Sequence, residues 1–401
     1  MLILHTSDWH LGRSFHGTGM LDAQREVLDQ MAATVRERGV DLVLVAGDVY
    51  DRALPAADAV ELLDATLAQL IDAGAQVVLT SGNHDSAIRL GFGGRLMAAA
   101  GVHVRTRMDQ IGAPVVLEDP DGGTVAVYGI PYLEPRHAGP AWEVEPHHTA
   151  VMTEAVRRLR QDAGSRFEDD SATAVIAMAH LFAAGGTGSD SERDIGAEDT
   201  ASREAAAGEM AVGTLGQVPV TVFDGIDYTA LGHLHGRQRM AETVRYSGSP
   251  LPYSFSEAEH TKGGLLVSTA NGQVTGVEPV DWDAGRKLAV LRGRIDDLLD
   301  SPDHAWAQDC WCQVTVTDPV RPPQAYQRLK ERFDGLLNFI LEPEGGSPRA
   351  ESTYAARLAR ARSELDVCTG FVEHVRQRPP SESETALLRT ALEETREGSQ
   401  P

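Results

Sequence analysis

The stretch from Asp41 to Asp85 constrains this chain more than any other. An apolar run, Leu42 to Ala46, is too short for a buried helix and opens straight into Gly47-Asp48-Val49-Tyr50-Asp51-Arg52. A helical segment follows, then a second apolar run, Val77 to Thr80, which opens into Gly82-Asn83-His84-Asp85. Both runs read as buried strands ending in glycine and a cluster of oxygen and nitrogen donors. Three further strand-like runs end the same way: Leu2 to His5 before Asp8-Trp9-His10, Ala174 to Ala179 before His180, and Tyr228 to Leu231 before Gly232-His233-Leu234-His235. Ligands of open α/β sheets sit outside the carboxyl ends of the strands. Strand ends that all carry Asp, Asn or His therefore point to one metal centre.

The connecting segments fit that frame. Gln24 to Arg38 is helical, with Val27, Leu28, Met31 and Val35 on one face and Gly39 as a stop. Pro55 lies near the start of a second helix, with Val60, Leu63, Leu67, Leu70 and Ile71 as its stripe and Gly74 at its end. This βαβαβ opening implies a parallel sheet with right-handed crossovers. Val102 to Arg105, Val115 to Glu118 and Val125 to Tyr128 are expected strands, the last two joined by a turn at Asp121-Gly122-Gly123. Trp142 to Arg160 is expected as one helix, and strands resume around Val220 and run through Gly264 to Thr269. The Gly-, Ser-, Asp- and Glu-rich stretch from His180 to about Glu209 reads as a mobile surface insertion.

Near Thr275 the pattern changes. Strands at Leu288 to Arg294, Trp311 to Thr317 and Leu337 to Leu341, with helices at Ile295 to Leu299 and Pro322 to Phe333, make a small α+β unit without Asp/His strand ends. The chain then turns helical and amphipathic, with Leu365, Cys368, Phe371, Val372 and Val375 in a stripe. After Pro379-Pro380, Ser381 and Glu384 form a capping box for a last helix. The expected domains are 1–274, 275–345 and a tail at 350–401.

Composition excludes more than it assigns. With 36 basic against 59 acidic residues the net charge is −23, which argues against coating nucleic acid by charge alone. Three cysteines, with Cys310 and Cys312 on one face of a strand, fit a reduced, cytoplasmic chain. No run is apolar and long enough to span a membrane, and Asp8 and His10 interrupt any leading signal-peptide core.

A two-metal hydrolase needs a carboxylate shared by two cations about 3.5–4 Å apart, and Asp48 is the candidate. Asp8, His10 and His235 would complete one ion's ligands, and Asn83, His180 and His233 the other's. Such mixed donors suit manganese, iron or zinc better than calcium. The leaving oxygen needs a proton or positive charge, which His84 is placed to give, and Asp51 is expected to orient the His84 ring. His5, His16 and the remaining histidines are expected in the core or on the surface.

This set of motifs resembles the calcineurin-like metallophosphoesterase superfamily. Ile3 to Gly12, Gly82 to Ser86 with Arg89-Leu90, Gly185-Gly186 with Ser189-Asp-Ser-Glu-Arg193, Tyr246 to Leu251 and Tyr253 to Glu257 narrow it. They are similar to bacterial DNA-repair nucleases, the nuclease subunits of SbcCD-type complexes. The resemblance implies an α/β fold, a four-layer α-β-β-α sandwich with a smaller C-terminal α+β capping domain and a helical tail. It implies a manganese-dependent nuclease for duplex ends, single strands and hairpins, used in DNA repair, recombination and replication. The implied partner is an SbcC-type coiled-coil ATPase, held by the tail, with a homodimer inside a heterotetramer. Arg13, Arg52, Arg89 and Arg193, beside the clusters, are candidate DNA contacts. Two other readings are a small-molecule phosphodiesterase or phosphatase, and a non-catalytic DNA-end-binding scaffold. The extra domain and tail argue against the first, and the intact ligand set against the second.

Overall fold

The computed structural model describes residues 1–120, 122–168, 172–193, 216–344, 363–376 and 379–397. Two compact units divide the chain at Ala289/Val290. Strands β1 (Leu2–Thr6), β2 (Leu42–Ala46), β3 (Gln76–Thr80) and β4 (Val102–Arg105) run parallel side by side, with helices α1 (Leu21–Arg38) and α2 (Ala57–Asp72) as crossovers. All five residues of β2 are buried, as expected for a strand covered on both faces. Gly39, at φ 64°, ends α1 in the left-handed conformation that a side chain would disfavour.

The second sheet starts as a hairpin of β5 (Val115–Glu118) and β6 (Thr124–Gly129). Helices α3 (Pro135–Trp142) and α4 (His148–Arg166) lead to β7 (Thr173–His180), β8 (Tyr228–Gly232), β9 (Gln238–Arg239) and β10 (Val244–Tyr246). Its order is β9-β10-β8-β7-β6-β5, with β6, β7, β8 and β10 parallel. The chain then returns to the first sheet through β11 (Gly263–Ala270) and β12 (Gln273–Asp281), giving the order β12-β11-β1-β2-β3-β4. Asn271 and Gly272, at φ 52° and 71°, close that hairpin, as an Asn-Gly pair does in a tight turn between twisted strands.

The sheets face each other across one apolar layer. Ile3, Leu42, Leu44, Ala46 and Val78 meet Val125, Val127, Ile176, Met178, Tyr228 and Ala230 there. The outer face of the second sheet is covered by Val151, Met152, Ala155, Val156 and Leu159 of α4, against Ala126, Tyr128, Ala177 and Ala179. On the first sheet's outer side α2 packs on β3 and α1 packs on α2. This is a four-layer α-β-β-α sandwich. Each buried Leu, Ile or Val contributes about 1.5–3 kcal/mol, and this core holds the ends of β1, β2, β3, β7 and β8 at one edge.

Three local expectations are corrected. Trp142 to Arg160 is not one helix: α3 stops at Glu143, at φ 57°, Pro146 intervenes, and His147 Nδ1 caps α4 by accepting from Ala150 N. Proline lacks the N–H that a continuous helix would use. Val220 to Phe223 is a 3-10 turn after Pro219 rather than a strand. The stretch after Thr275 continues β12, so the first unit runs beyond residue 274. Asp121 of the expected turn and residues 169–171, 194–215 and 345–362 lie outside the described residues.

The second unit has a sheet in the order β13 (Leu288–Gly293), β14 (Trp311–Val316), β15 (Leu336–Leu341), with β14 and β15 parallel. Helices α5 (Ile295–Asp300) and α6 (Ala325–Arg332) accompany it. Leu291, Leu298, Val314, Val316, Leu329 and Phe333 are buried. Helices α7 (Glu364–Arg376) and α8 (Glu382–Glu397) follow. The capping box is present, because Ser381 N donates to Glu384 Oε2 at 2.8 Å and Glu384 N to Ser381 Oγ at 3.3 Å. No helix among the described residues is long and apolar enough to cross a membrane.

Candidate metal centre

The loops after the strands are bent in a way few side chains tolerate. Asp8, His10, Asp48 and His233 have φ of 55°, 45°, 47° and 108°. Non-glycine residues in this region carry strain, which persists only where the surroundings over-determine it. Those surroundings are visible. Asp8 N donates to Gly47 O at 3.1 Å and His10 N to Asp48 O at 3.0 Å, locking the β1 loop to the β2 loop. The Asp85 carboxylate accepts from Val49 N, Tyr50 N and Gly82 N at 2.9–3.0 Å, joining the β2 and β3 loops. A Cβ at Gly82 would collide with Asp48, and one at Gly47 with the His180 ring.

The donors then converge on Asp48. Its Oδ2 lies 3.3 Å from His180 Nε2 and 3.7 Å from His10 Nε2, while Oδ1 accepts from His84 N at 2.9 Å. On one side His10 Nε2 is 3.1 Å from His235 Nε2, and Asp8 offers an oxygen to the same point. On the other, His180 Nε2 is 3.0 Å from Asn83 Oδ1, and the His233 ring centroid is 5.4 Å from that of His180. Asp8 also accepts from His233 N at 3.0 and 3.1 Å.

In two of the histidines the far ring nitrogen is engaged. His180 Nδ1 donates to Ala46 O at 2.9 Å, and His235 Nδ1 lies 2.7 Å from Ser191 Oγ. In both arrangements Nε2 is the ring nitrogen turned toward the cluster. Burial pushes the Asp8 carboxyl up to about 6, opposed by His180 and His235. Burial opposes charge on Asp48 too, but the adjacent His180 holds its carboxyl well below the usual range and is itself raised to about 9, chiefly by Asp48 against its own burial. Burial lowers His233 to about 3 and His10 well below its usual value.

These residues fit divalent cations. Buried His10 and His235 present Nε2 to Nε2, an approach in which at most one nitrogen can donate, and carboxylates flank both. His84 Nε2 is buried without a hydrogen-bond partner. Imidazole, carboxylate and amide form the donor set of a transition-metal site, and the His/Asp groups offer ligand atoms close enough to hold metal.

Beside the cluster opens a cleft of about 670 Å³ lined by Arg13, Asp51, Arg52, Asn83, His84, Tyr132, Glu134 and Ser191 among others. His84 faces it, its Nδ1 donating to a carbonyl at 2.8 Å. That carbonyl is the main chain of Asp51, which corrects the expected role of the Asp51 side chain. The Asp51 carboxylate instead takes Arg13 Nη1 at 3.3 Å and lies 3.5 Å from Arg52 Nε. Arg13 also stacks over Tyr253, and Arg89 donates to Ala53 O at 3.1 Å. The Arg193 side chain lies outside the described residues.

Sequence reasoning missed several residues that set this geometry. Gln24 Nε2 donates to His10 O at 2.7 Å and Trp9 O at 3.3 Å, and its Oε1 accepts from Gly12 N. The only signal was a glutamine at the start of the apolar face of α1. Tyr253 donates from its hydroxyl to Trp9 O beside the His10 and His235 rings. The stretch from His180 to about Glu209 reads as a surface insertion, yet in its described part Ser189, Ser191 and Glu192 are buried.

The chain belongs to the calcineurin-like phosphoesterase family, whose model matches residues 1–237. A second family model, the SbcD C-terminal domain described as a type 5 capsule protein repressor C-terminal domain, matches residues 284–376. Together the two matches support the SbcD type within this superfamily. Solved structures resemble it at low identity. TT1561 of Thermus thermophilus is 16% identical with a TM-score of 0.39, covering 70% of this chain and 98% of its own. A dimetal phosphatase from Danio rerio is 14% identical with a TM-score of 0.40, covering 71% and 99%. GAP50, titled the anchor in the inner membrane complex of Plasmodium, is 10% identical with a TM-score of 0.37, covering 87% and 99%.

Proposed function

We propose that this phosphoesterase is a manganese-dependent DNA nuclease that acts with an SbcC-type ATPase in DNA end processing. The observation that carries the proposal is the convergence of the strand-end donors on Asp48, beside a cleft that His84 enters from one wall. Asp8, His10, Asp48 and His235 would hold one ion, and Asp48, Asn83, His180 and His233 a second. When bound, such ions supply Lewis-acid stabilisation of the phosphoryl oxygens and a nucleophile at neutral pH.

The chain's own residues do the rest. His84 is held by two contacts, N to Asp48 Oδ1 and Nδ1 to Asp51 O. With Nδ1 committed as a donor, Nε2 is the nitrogen free to carry a proton to the leaving oxygen, so His84 serves as the general acid in its imidazolium form. Arg13 and Arg52 on the cleft wall supply positive charge for flanking phosphates, although Asp51 partly neutralises both. Asp8 keeps the His233 backbone in place, and so keeps the two sheets' loops in register.

The SbcD C-terminal match over residues 284–376 supports the partner assignment, with the small α+β unit as a capping domain over DNA. Phe371 and Leu387, exposed at 53% and 70%, support docking of the helical tail on a coiled coil. The cytoplasm is the compartment consistent with a chain of only three cysteines.

The test is hydrolysis of end-labelled linear duplex DNA by the purified chain with manganese, with chelator, and by a His84→Ser variant. Manganese-dependent shortening that the variant loses by about 10²–10⁴-fold is expected. Intact DNA with and without the ATPase partner, alongside cleavage of a small phosphodiester, would replace this reading with the small-molecule one.

A further inference from the structure

The most densely bonded polar cluster outside the ligand set lies directly behind His235. Glu257, 1% exposed, accepts from Ser191 Oγ at 2.7 Å, Ser254 Oγ at 2.8 Å and Ser189 Oγ at 3.1 Å on Oε1. Its Oε2 takes Lys262 Nζ at 2.6 Å and Tyr253 N at 3.2 Å. Lys262 Nζ also donates to His235 O at 2.9 Å and Ser249 Oγ at 3.0 Å. Glu192 accepts from both His235 N and Ser189 N. The short Ser189-Asp190-Ser191-Glu192 segment is therefore seated in the fold, and its Ser191 reaches the cleft wall.

Proton bookkeeping in this cluster has one economical solution. An ionised carboxylate only accepts, so the Ser191 hydroxyl hydrogen points to Glu257. The Ser191 oxygen then has lone pairs to offer to its two other neighbours, Ser189 Oγ at 2.8 Å and His235 Nδ1 at 2.7 Å, and in that arrangement His235 Nδ1 is the donor. A neutral His235 with its hydrogen on Nδ1 has its lone pair on Nε2, the atom that faces His10 Nε2 at 3.1 Å. Carboxylate partners commonly orient metal-binding histidines directly. Here Ser191 Oγ is the nearer partner of His235 Nδ1, at 2.7 Å against 3.5 Å for the Glu257 carboxylate, and that serine comes from a segment remote in sequence from both.

We propose that Ser191, anchored by Glu257, is a positioning residue that holds the His235 ring in the Nδ1–H tautomer with Nε2 directed at the cation. Seating of residues 189–192 is thereby a condition of full metal affinity in the half of the centre formed by Asp8, His10 and His235. This rests on the reading of the His/Asp cluster as a metal centre.

The experiment compares the full-length wild-type chain with Ser191→Ala and Ser191→Thr, in two readouts. Calorimetric titration with manganese chloride is expected to show about 10–100-fold weaker binding at one of two sites in Ser191→Ala, and near wild-type binding in Ser191→Thr, which keeps the hydroxyl. Imidazole ¹⁵N spectra of the metal-free proteins, with His235 assigned by a His235→Gln variant, are expected to show the Nδ1–H tautomer in wild type and Ser191→Thr and a mixture in Ser191→Ala. Equal manganese affinity in wild type and Ser191→Ala overturns the positioning role and leaves the metal centre standing. A wild-type chain that binds no manganese overturns the metal-centre reading, and the positioning role with it. An Nε2–H tautomer in wild type overturns the positioning role alone. A loss of affinity that Ser191→Thr does not restore assigns the effect to packing and likewise overturns the relay.

Discussion

The two halves of the metal centre are built differently. Asp8, His10 and His235 are buried, and side chains brace them from behind: Gln24 under His10, Tyr253 against both rings, Ser191 and Glu257 behind His235. In the other half His180 is buried but Asn83 and His233 are partly exposed, and His180 is held by one main-chain carbonyl, Ala46 O. The braced half has its donors fixed before a cation arrives. The open half is where a substrate can enter, at the edge of the His84 cleft. Preorganisation and access are separated across the Asp48 carboxylate.

The sharpest way to break this comparison is to remove what the halves share. Asp48→Ala is expected to lower turnover by about 10³-fold or more, roughly 4 kcal/mol, and to abolish two-site manganese binding in calorimetry. Two intact sites would mean that Asp48 is not shared. Next, Gln24→Ala and Asn83→Ala probe the halves separately. Gln24→Ala removes bracing from an enclosed ligand, and about 10–100-fold weaker binding is expected at one site with the other unchanged. Asn83→Ala is expected to weaken the complementary site. Loss at the same site in both variants would erase the distinction.

A third effect lies at the seam between the sheets. His5 is fully buried, with Nδ1 2.9 Å from Tyr228 Oη and Nε2 3.2 Å from Leu231 O, and burial lowers it to about 3 against the weaker upward pull of the Leu231 carbonyl. The unfolded chain takes up a proton near pH 6.5 while the folded chain resists until about 3. This stability is therefore present above pH 6.5 and lost as pH falls toward 3, on the order of 5 kcal/mol over that interval. Denaturant unfolding of wild type and His5→Gln from about pH 7.5 to 4 should give a shallower acid limb for the variant. Parallel limbs would place the acid sensitivity elsewhere. The smallest effect is expected for Asp51→Asn, which leaves the carbonyl that holds His84 intact. Turnover should stay within about threefold, under roughly 1 kcal/mol, and a loss of about 10²-fold would return the carboxylate to the chemistry.

The strands that carry the proposed donors were legible in the chain, because each is a short apolar run that ends where Asp, Asn or His residues begin. Leu42–Ala46 falls where the pattern puts it. The bracing was not legible. Ser189, Ser191 and Glu192 look like solvated loop, since composition carries no sign that Glu257 waits for Ser191 66 residues further on. Asp51 misled for a different reason: its side chain is what a sequence displays, and the atom that reaches His84 belongs to the backbone. The break at Pro146 was visible as a proline but was outweighed by helical composition on both sides. Residues 273–281 misled because an edge strand exposed along much of its length looks like the start of something new.

The left-handed backbone at Asp8, His10, Asp48 and His233 has a consequence in time. None of these residues would choose that conformation in an unfolded chain, and their loops come from both sheets. Ligand geometry can appear only after β1, β2 and β8 are paired and the sheets have closed on each other. A chain with only the first sheet formed lacks His180, His233 and His235, and one with only the second lacks Asp8, His10, Asp48 and Asn83. A cation can therefore be held by the full donor set only once both sheets are in place. For a chain proposed to cut DNA, that ordering is itself a safeguard, since no immature form carries an assembled active centre.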